Sequence, residues 1–233
     1  MKFAPMNYHY LRYPLTKFLD KVERSPFDSI DLYCSAPQLN LFDHPLSHLL
    51  ELDGELRRRH LSVAAMTPEN CVYPVNFCTQ DRITRESSLR YYQRAIDTAE
   101  FLGCPRVQIS TGFGYFDAPR EEAWNNCRES MAQLAAYAER KHVTLLLEEL
   151  KNTTTNVLIT SRDVHISCLL MQPSIASLAY FRMTAALLLC KIEKIECESG
   201  SCAERAVYRN GSSVRLNNGL CQRQPQSYSM DIR

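Results

Sequence analysis

The sequence has almost no net charge. Its 27 lysine and arginine residues are balanced by 26 aspartate and glutamate residues. A balance of +1 gives no reason to expect nucleic acid or an anionic membrane as a partner. The one tight basic run, residues 57–59, follows an apolar helical pattern. We interpret it as the solvated last turn of that helix, where cations suit the helix dipole.

Sorting signals and membrane-length apolar runs are also lacking. Met1 and Lys2 lead into a mixed polar and apolar segment without the apolar region of a secretory signal. The apolar stretch at residues 178–190 contains Arg182 and is too short to span a bilayer, so we interpret it as an amphipathic or poorly packed helix. We therefore expect a cytoplasmic protein that does not engage a membrane.

The ten cysteines form no CxxC pair, and no cluster of cysteine and histidine has zinc spacing. Without a secretion signal, such cysteines are better interpreted as reduced thiols than as disulfides.

Up to about residue 164 the sequence alternates between strand and helix patterns, which predicts a parallel sheet with right-handed crossovers. An open doubly wound sheet and a (β/α)₈ barrel both satisfy this alternation. No glycine-rich fingerprint follows the first predicted strand, so nothing specific favours a dinucleotide fold. The predicted strands lie at 3–8, 27–33, 61–66, 106–110 and 143–150. Four helices are predicted. The first begins at Pro14, the second ends near His60, the third covers residues 84–102, and the fourth has Asp117 as its N-cap.

Polar residues recur where the predicted strands end, as expected for a barrel with one central site. They are Asn7, His9, Asp31, Glu69, Ser110 and Glu148. The strongest of these signals is Glu148, which ends a strand of buried character. Strand starts near residues 3 and 143 span four units, so a unit has about 35 residues and eight would need roughly 280. The sequence therefore predicts an incomplete barrel of about five units.

Short motifs occur in a fixed order along the first 164 residues: RYP at 12–14, FDSID at 27–31, TPE at 67–69, RES at 85–87 and LLLE at 145–148. In this order and spacing the chain resembles the sugar-phosphate isomerase/epimerase family of xylose-isomerase-like TIM barrels. Within that family it most resembles the fructoselysine 3-epimerases.

The resemblance implies proton transfer next to a ketose carbonyl through a metal-stabilised enediolate, on a small sugar or sugar–amino-acid adduct. It also implies a divalent metal ion held by Glu, Asp, His and Glu from successive barrel regions, the two glutamates doubling as the acid/base pair. Glu148 matches the first of these glutamates, as catalytic residue and metal ligand. Glu149 stands where the family has proline. Tyr8, His9 and Glu69 lie at strand ends where substrate-binding residues are expected.

Residues 165–233 differ in kind from residues 1–164, which we predict to form the partial barrel. They contain five of the ten cysteines, and Pro173 interrupts the helix expected there. No strand or helix period is visible after Glu198, and the other three metal ligands are not found. We interpret this segment as an atypical, poorly ordered tail, and hypothesise a shift of reading frame near Val164 and His165.

Three functional interpretations remain. The first is a sugar epimerase of the fructoselysine 3-epimerase type, impaired in this chain. The second is a catalytically inactive partial barrel, whose open sheet edge favours association into a homo-oligomer. The third and least favoured is a relative of the endonucleases that cleave DNA at abasic sites. The near-neutral charge and the absence of multiple strand-end histidines argue against it.

Overall fold

The computed structural model describes residues 3–70 and 75–160, and the backbone of three later strands at 178–181, 207–209 and 212–214. A short 3₁₀-helix, Asn7–Tyr10, precedes the regular elements. The α-helices are α1 (Leu15–Glu23), α2 (Leu46–Arg58), α3 (Arg82–Phe101) and α4 (Arg120–Arg140). The strands are β1 (Ser29–Cys34), β2 (Ser62–Pro68), β3 (Arg106–Ile109), β4 (Thr144–Glu148), β5 (Leu178–Phe181), β6 (Val207–Arg209) and β7 (Ser212–Val214).

Strands β1 to β5 form one parallel sheet in sequence order. The register places Tyr33 beside Thr67, and Gln108 beside Leu146. Strands β6 and β7 pair as an antiparallel hairpin in the second of two compact units, which cover residues 1–183 and 184–233. A helix between each pair of neighbouring strands from β1 to β4 gives the repeated β/α unit of a barrel.

The helices cover one face of the sheet with the apolar positions that their sequence period predicts. In α4 the predicted face of Cys127, Met131, Leu134 and Ala138 is buried, and Trp124 is half-buried. In α3 the predicted Tyr92, Ile96 and Ala99 are buried, whereas Leu89 is half-buried. The helix-facing side chains and the sheet form a single apolar cluster.

The strand predicted at residues 3–8 is wrong. Met6 makes one isolated parallel bridge with Asp31, and the chain then turns into the 3₁₀-helix. The buried side chain of Asn7 takes the place of a strand here. Its amide donates to the Tyr33 carbonyl at 3.0 Å and its oxygen accepts from the Tyr33 N–H at 2.7 Å. A side-chain amide thus completes the pairing at the outer edge of β1.

Two further predictions about elements are wrong. Asp117 does not cap α4, because it lies in a turn in which the Ala118 N–H donates to the Tyr115 carbonyl, and Pro119 occupies the N-cap. Residues 178–181 form a strand beside β4 rather than the start of a helix. The rest of the interpretation of residues 165–233 falls outside the described residues, apart from the three short strands.

The basic run at residues 57–59 is only partly solvated. Arg59 is buried, and its guanidinium lies 2.6 Å from the Asp20 carboxylate and also donates to Glu55. These hydrogen bonds hold the pKa of both carboxyl groups below their usual range. Arg59 therefore joins α1 to α2, whereas Arg57 and Arg58 remain exposed. Among the described helices, none combines the length and apolar character needed to cross a membrane.

Candidate active site

Alternation of side chains along the strands gives the sheet two chemically different faces. The outer face is apolar and packs against the helices. The inner face carries mainly polar side chains at the alternate positions. The outer residues are Ile30, Leu32, Met66, Val107, Ile109, Leu145 and Leu147; the polar inner residues are Asp31, Tyr33, Thr67, Gln108 and Glu148, and Leu146 is an apolar inner residue.

Four buried inner side chains, one from each of β1 to β4, form a hydrogen-bonded chain. The Thr67 hydroxyl lies 2.9 Å from a carboxyl oxygen of Asp31 and 3.0 Å from the amide oxygen of Gln108. The Gln108 amide nitrogen donates to Glu148. A hydroxyl has one hydrogen to donate, so Thr67 donates a hydrogen bond either to Asp31 or to Gln108 at a given moment. The chain connects two carboxyl groups across the sheet and fixes the orientation of Glu148.

Glu148 combines burial with an altered acidity. Desolvation by burial raises its pKa from 4.5 to about 7, and the nearby charges of Asp31 and Glu149 act in the same direction. The hydrogen bond from Gln108 opposes this rise. A carboxyl group with a pKa near 7 exchanges its proton readily at neutral pH, as a general acid or base must.

A second cluster lies at the carboxyl ends of β1 and β2. The Tyr33 hydroxyl donates to the carboxylate of Glu69, and the Tyr8 ring meets the Tyr33 ring edge-on with centroids 5.0 Å apart. The Tyr91 hydroxyl donates to the Glu69 carbonyl at 3.0 Å. Tyr33 thus brings together two residues that the sequence predicts for substrate binding. The third, His9, is exposed and lies against Tyr8 with ring centroids 5.6 Å apart.

Sequence reasoning did not find Tyr33, Thr67 or Gln108. The available signal was alternation, since Tyr33 lies two residues after Asp31 and Gln108 is a polar residue between two apolar strand positions.

An open depression of about 790 Å³ is separate from the inner residues; it is lined by residues 11–16, 36–38 and His48.

The described residues do not by themselves fit a divalent metal ion. Within residues 3–70 and 75–160, no three histidine, cysteine, aspartate or glutamate side chains are grouped closely enough to hold one. Of the ligands that the resemblance implies, only Glu148 lies in this part of the chain. The others are expected beyond residue 164, outside the described segments.

The family model of the xylose isomerase-like TIM barrel matches residues 19–166. The chain belongs to this family. Membership confirms the predicted barrel class, and the match includes all of β1 to β4 with Glu148 at the end of β4.

Among curated relatives of this xylose isomerase-like protein are the fructoselysine 3-epimerases of Shigella flexneri and Escherichia coli O157:H7. Each is 24% identical over 179 residues, which cover 76% of this chain and 65% of the relative. The chain thus spans about two thirds of the length of these relatives.

Solved structures agree on the fold. The apo form of 3-keto-D-glucoside 4-epimerase from E. coli superposes with a TM-score of 0.65 at 13% identity, covering 78% of this chain and 68% of that one. A D-psicose 3-epimerase crystallised in the presence of D-fructose gives a TM-score of 0.64 at 12% identity, with 78% and 63% covered. A xylose isomerase-like protein from Mycobacterium smegmatis, in complex with magnesium, gives 0.59 at 17% identity, with 77% and 63% covered.

Proposed function

We propose that this chain carries the proton-transfer half of a sugar epimerase site of the fructoselysine 3-epimerase type. The observation that carries the proposal is Glu148, a buried carboxyl group with a pKa near 7 at the end of β4. Both curated relatives and two of the three solved neighbours named above are called epimerases of sugars or sugar adducts, which supports the substrate class.

The chemistry follows from the acidity of the substrate. A hydrogen on the carbon beside a ketose carbonyl is acidic because the resulting carbanion is delocalised as an enediolate. The Glu148 carboxylate takes this proton, and the neutral carboxylic acid returns a proton to the same face. Gln108 holds the carboxyl group in one orientation during both steps.

Inversion at that carbon also requires an acid on the opposite face of the enediolate. The resemblance places a second glutamate in that role, beyond residue 164. With Glu148 alone, the expected reaction is exchange of the substrate hydrogen with solvent while the configuration is retained. We therefore expect the rate of exchange to exceed the rate of epimerisation, as the interpretation of an epimerase impaired in this chain predicts. A divalent metal remains part of the family expectation, supported by the neighbour solved with magnesium.

The experiment is exchange of solvent deuterium into fructoselysine and D-fructose, followed by proton NMR with excess Mn²⁺ or with EDTA. The parent chain should wash deuterium into the position beside the carbonyl. Glu148→Gln should lower the rate at least about 100-fold, the usual contribution of a positioned acid or base. Glu149→Gln is the matched control and should retain most of the rate. No exchange in the parent chain under either condition would favour the inactive partial barrel instead.

That second candidate has its own support. Within residues 3–70 and 75–160, no three histidine, cysteine, aspartate or glutamate side chains are grouped as a set of metal ligands. The endonuclease interpretation is weaker, because the carboxyl groups of the inner face would repel a phosphodiester backbone.

A further inference from the structure

The hydrogen-bonded chain on the inner face contains more acceptors than its one hydroxyl can satisfy. The Thr67 hydroxyl lies 2.9 Å from a carboxyl oxygen of Asp31 and 3.0 Å from the amide oxygen of Gln108. Thr67 has one hydrogen, and neither an ionised carboxylate nor an amide oxygen can donate one. All three residues are at most 8% exposed, and buried polar groups are nearly always hydrogen-bonded. One of the two contacts therefore lacks a hydrogen unless Asp31 carries it.

The orientation of the Gln108 amide decides which contact this is. Its nitrogen donates to Glu148, so its oxygen faces Thr67. In the reversed orientation, the amide oxygen would face a carboxylate oxygen of Glu148, and two acceptors would meet without a hydrogen. With Glu148 ionised, as the proposed reaction requires at its start, Gln108 therefore accepts from Thr67. The hydrogen between Asp31 and Thr67 then has to come from Asp31.

The charges on the inner face act in the same direction. An ionised Asp31 disfavours the ionised form of Glu148. This repulsion is mutual, so the Glu148 carboxylate favours a neutral Asp31. Burial adds to the effect, because a carboxyl group that loses its hydration is more stable in the neutral form. The count of donors and the electrostatics therefore agree on a protonated Asp31.

We propose that Asp31 is a neutral carboxylic acid that positions Glu148 for proton transfer. Its O–H donates to Thr67, Thr67 donates to Gln108, and Gln108 donates to the Glu148 carboxylate. Every donor then points toward Glu148, and hydrogen bonds aligned in this way polarise and strengthen one another. Asp31 is thus a positioning residue that acts through Thr67 and Gln108. This inference deepens the proposed function and rests on it for the role of Glu148.

The proton on Asp31 can be observed directly. The measurement is the infrared absorption of the full chain with EDTA at pH 9, where Glu148, with a pKa of about 7, is ionised. A protonated carboxylic acid gives a carbonyl stretching band that a carboxylate lacks. The band should be present in the parent chain, shift when aspartate carries ¹³C at its side-chain carboxyl, and vanish in Asp31→Asn. Asp43→Asn, which changes an exposed aspartate, is the matched control and should keep the band.

The positioning role is tested by the exchange of solvent deuterium into the substrate. Thr67→Val removes the hydroxyl and keeps the shape of the side chain, so it should lower the exchange rate about tenfold, the size expected for one buried hydrogen bond. Thr67→Ser keeps the hydroxyl and should stay within about threefold of the parent rate. Equal losses in the two variants would show that Thr67 acts by packing alone, and would overturn the positioning role.

The two measurements separate this inference from the proposed function. Absence of the band in the parent chain, or its persistence in Asp31→Asn, would overturn the protonated Asp31 whether or not substrate hydrogen exchanges. If hydrogen exchanges and the band is absent, only this inference fails. If the band is present and no hydrogen exchanges, the proposed function fails and the positioning role fails with it.

Discussion

The acidity of Glu148 links the candidate chemistry to the stability of the fold. Glu148 is 5% exposed, and the pKa of its carboxyl group is about 7 in the folded chain, compared with 4.5 for a solvated glutamate. A raised pKa means that the folded state binds the proton more tightly than the unfolded state does. The contribution of Glu148 to stability is therefore fully present below pH 4.5 and is lost as the pH rises through 7.

We expect Glu148→Gln to be more stable than the parent chain at pH 8, with the difference shrinking toward pH 5. The difference between the two pKa values corresponds to about 3 kcal/mol as an upper value. Glutamine keeps the shape of the side chain and accepts the hydrogen bond from Gln108, so the change removes mainly the buried charge. The measurement is urea unfolding at several pH values with EDTA present. Glu149→Gln should show much less of this pH-dependent gain, because desolvation of Glu148 is the largest cause of its raised pKa and the Glu149 charge the smallest. A gain for Glu148→Gln that is equal at pH 5 and pH 8 would contradict the prediction.

The sequence predicted Glu148 but not the residues that hold it, and the reason is geometric. A carboxylate that ends an apolar run stands out in a sequence, since burial without a partner is costly. Gln108 and Thr67 become partners of Glu148 and Asp31 only through the parallel register of β1 to β4. Register between strands separated by whole helices is a tertiary property that periodicity along a single sequence does not reveal.

At the scale of elements, the loops after β2, β3 and β4 are held together by two asparagine side chains. Asn76 donates to the Phe113 carbonyl at 2.9 Å and accepts from the Cys78 N–H. Asn156 bonds both the N–H and the carbonyl of Gly114, at 2.8 and 3.0 Å. These contacts order the rim on the side of the sheet where Glu148 lies.

Gly112→Ala should destabilise the chain by about 1–3 kcal/mol. Gly112 has a φ of +92°, and an added Cβ would lie 2.5 Å from the amide oxygen of Asn76. Asn76 has little room to move because it bonds two neighbouring backbone groups. Gly54→Ala is the matched opposite: it lies inside α2 with nothing within 4 Å of the new Cβ, so it should stabilise by about 0.5–1 kcal/mol. Thermal unfolding measures both, and equal effects of the two substitutions would refute the loop contact.

Helices were the most predictable elements and short edge segments the least. The apolar period of α3 and α4 spans 20 and 21 residues, so many positions agree on one buried face. Residues 3–8 offered only a short apolar signal, and the bonds from the Asn7 side chain decided their conformation. Arg59 was misjudged for a similar reason, because its partner Asp20 lies on a different helix.

At the scale of the whole molecule, the described core bears on whether the β/α units of a partial barrel unfold together or separately. A sheet that lacks strands is expected to unfold with weak cooperativity if its units are stabilised separately. The apolar cluster instead extends without interruption from Phe18 in α1 to Leu158 after β4. One shared core predicts that α1 to α4 and β1 to β4 unfold together.

Leu19→Ala tests this directly, because it changes α1 while the sole tryptophan, Trp124, reports from α4. Leu19 is 1% exposed, so its truncation should cost about 2–5 kcal/mol. In one cooperative unit, the urea midpoint from Trp124 fluorescence should fall by the same amount as the midpoint from far-ultraviolet circular dichroism. The exposed Thr16→Ala on the same helix should change the free energy of unfolding from either probe by no more than about 0.5 kcal/mol. A Trp124 transition that stays at the parent midpoint would show that α1 and α4 unfold independently, as separately stabilised units of an open barrel would.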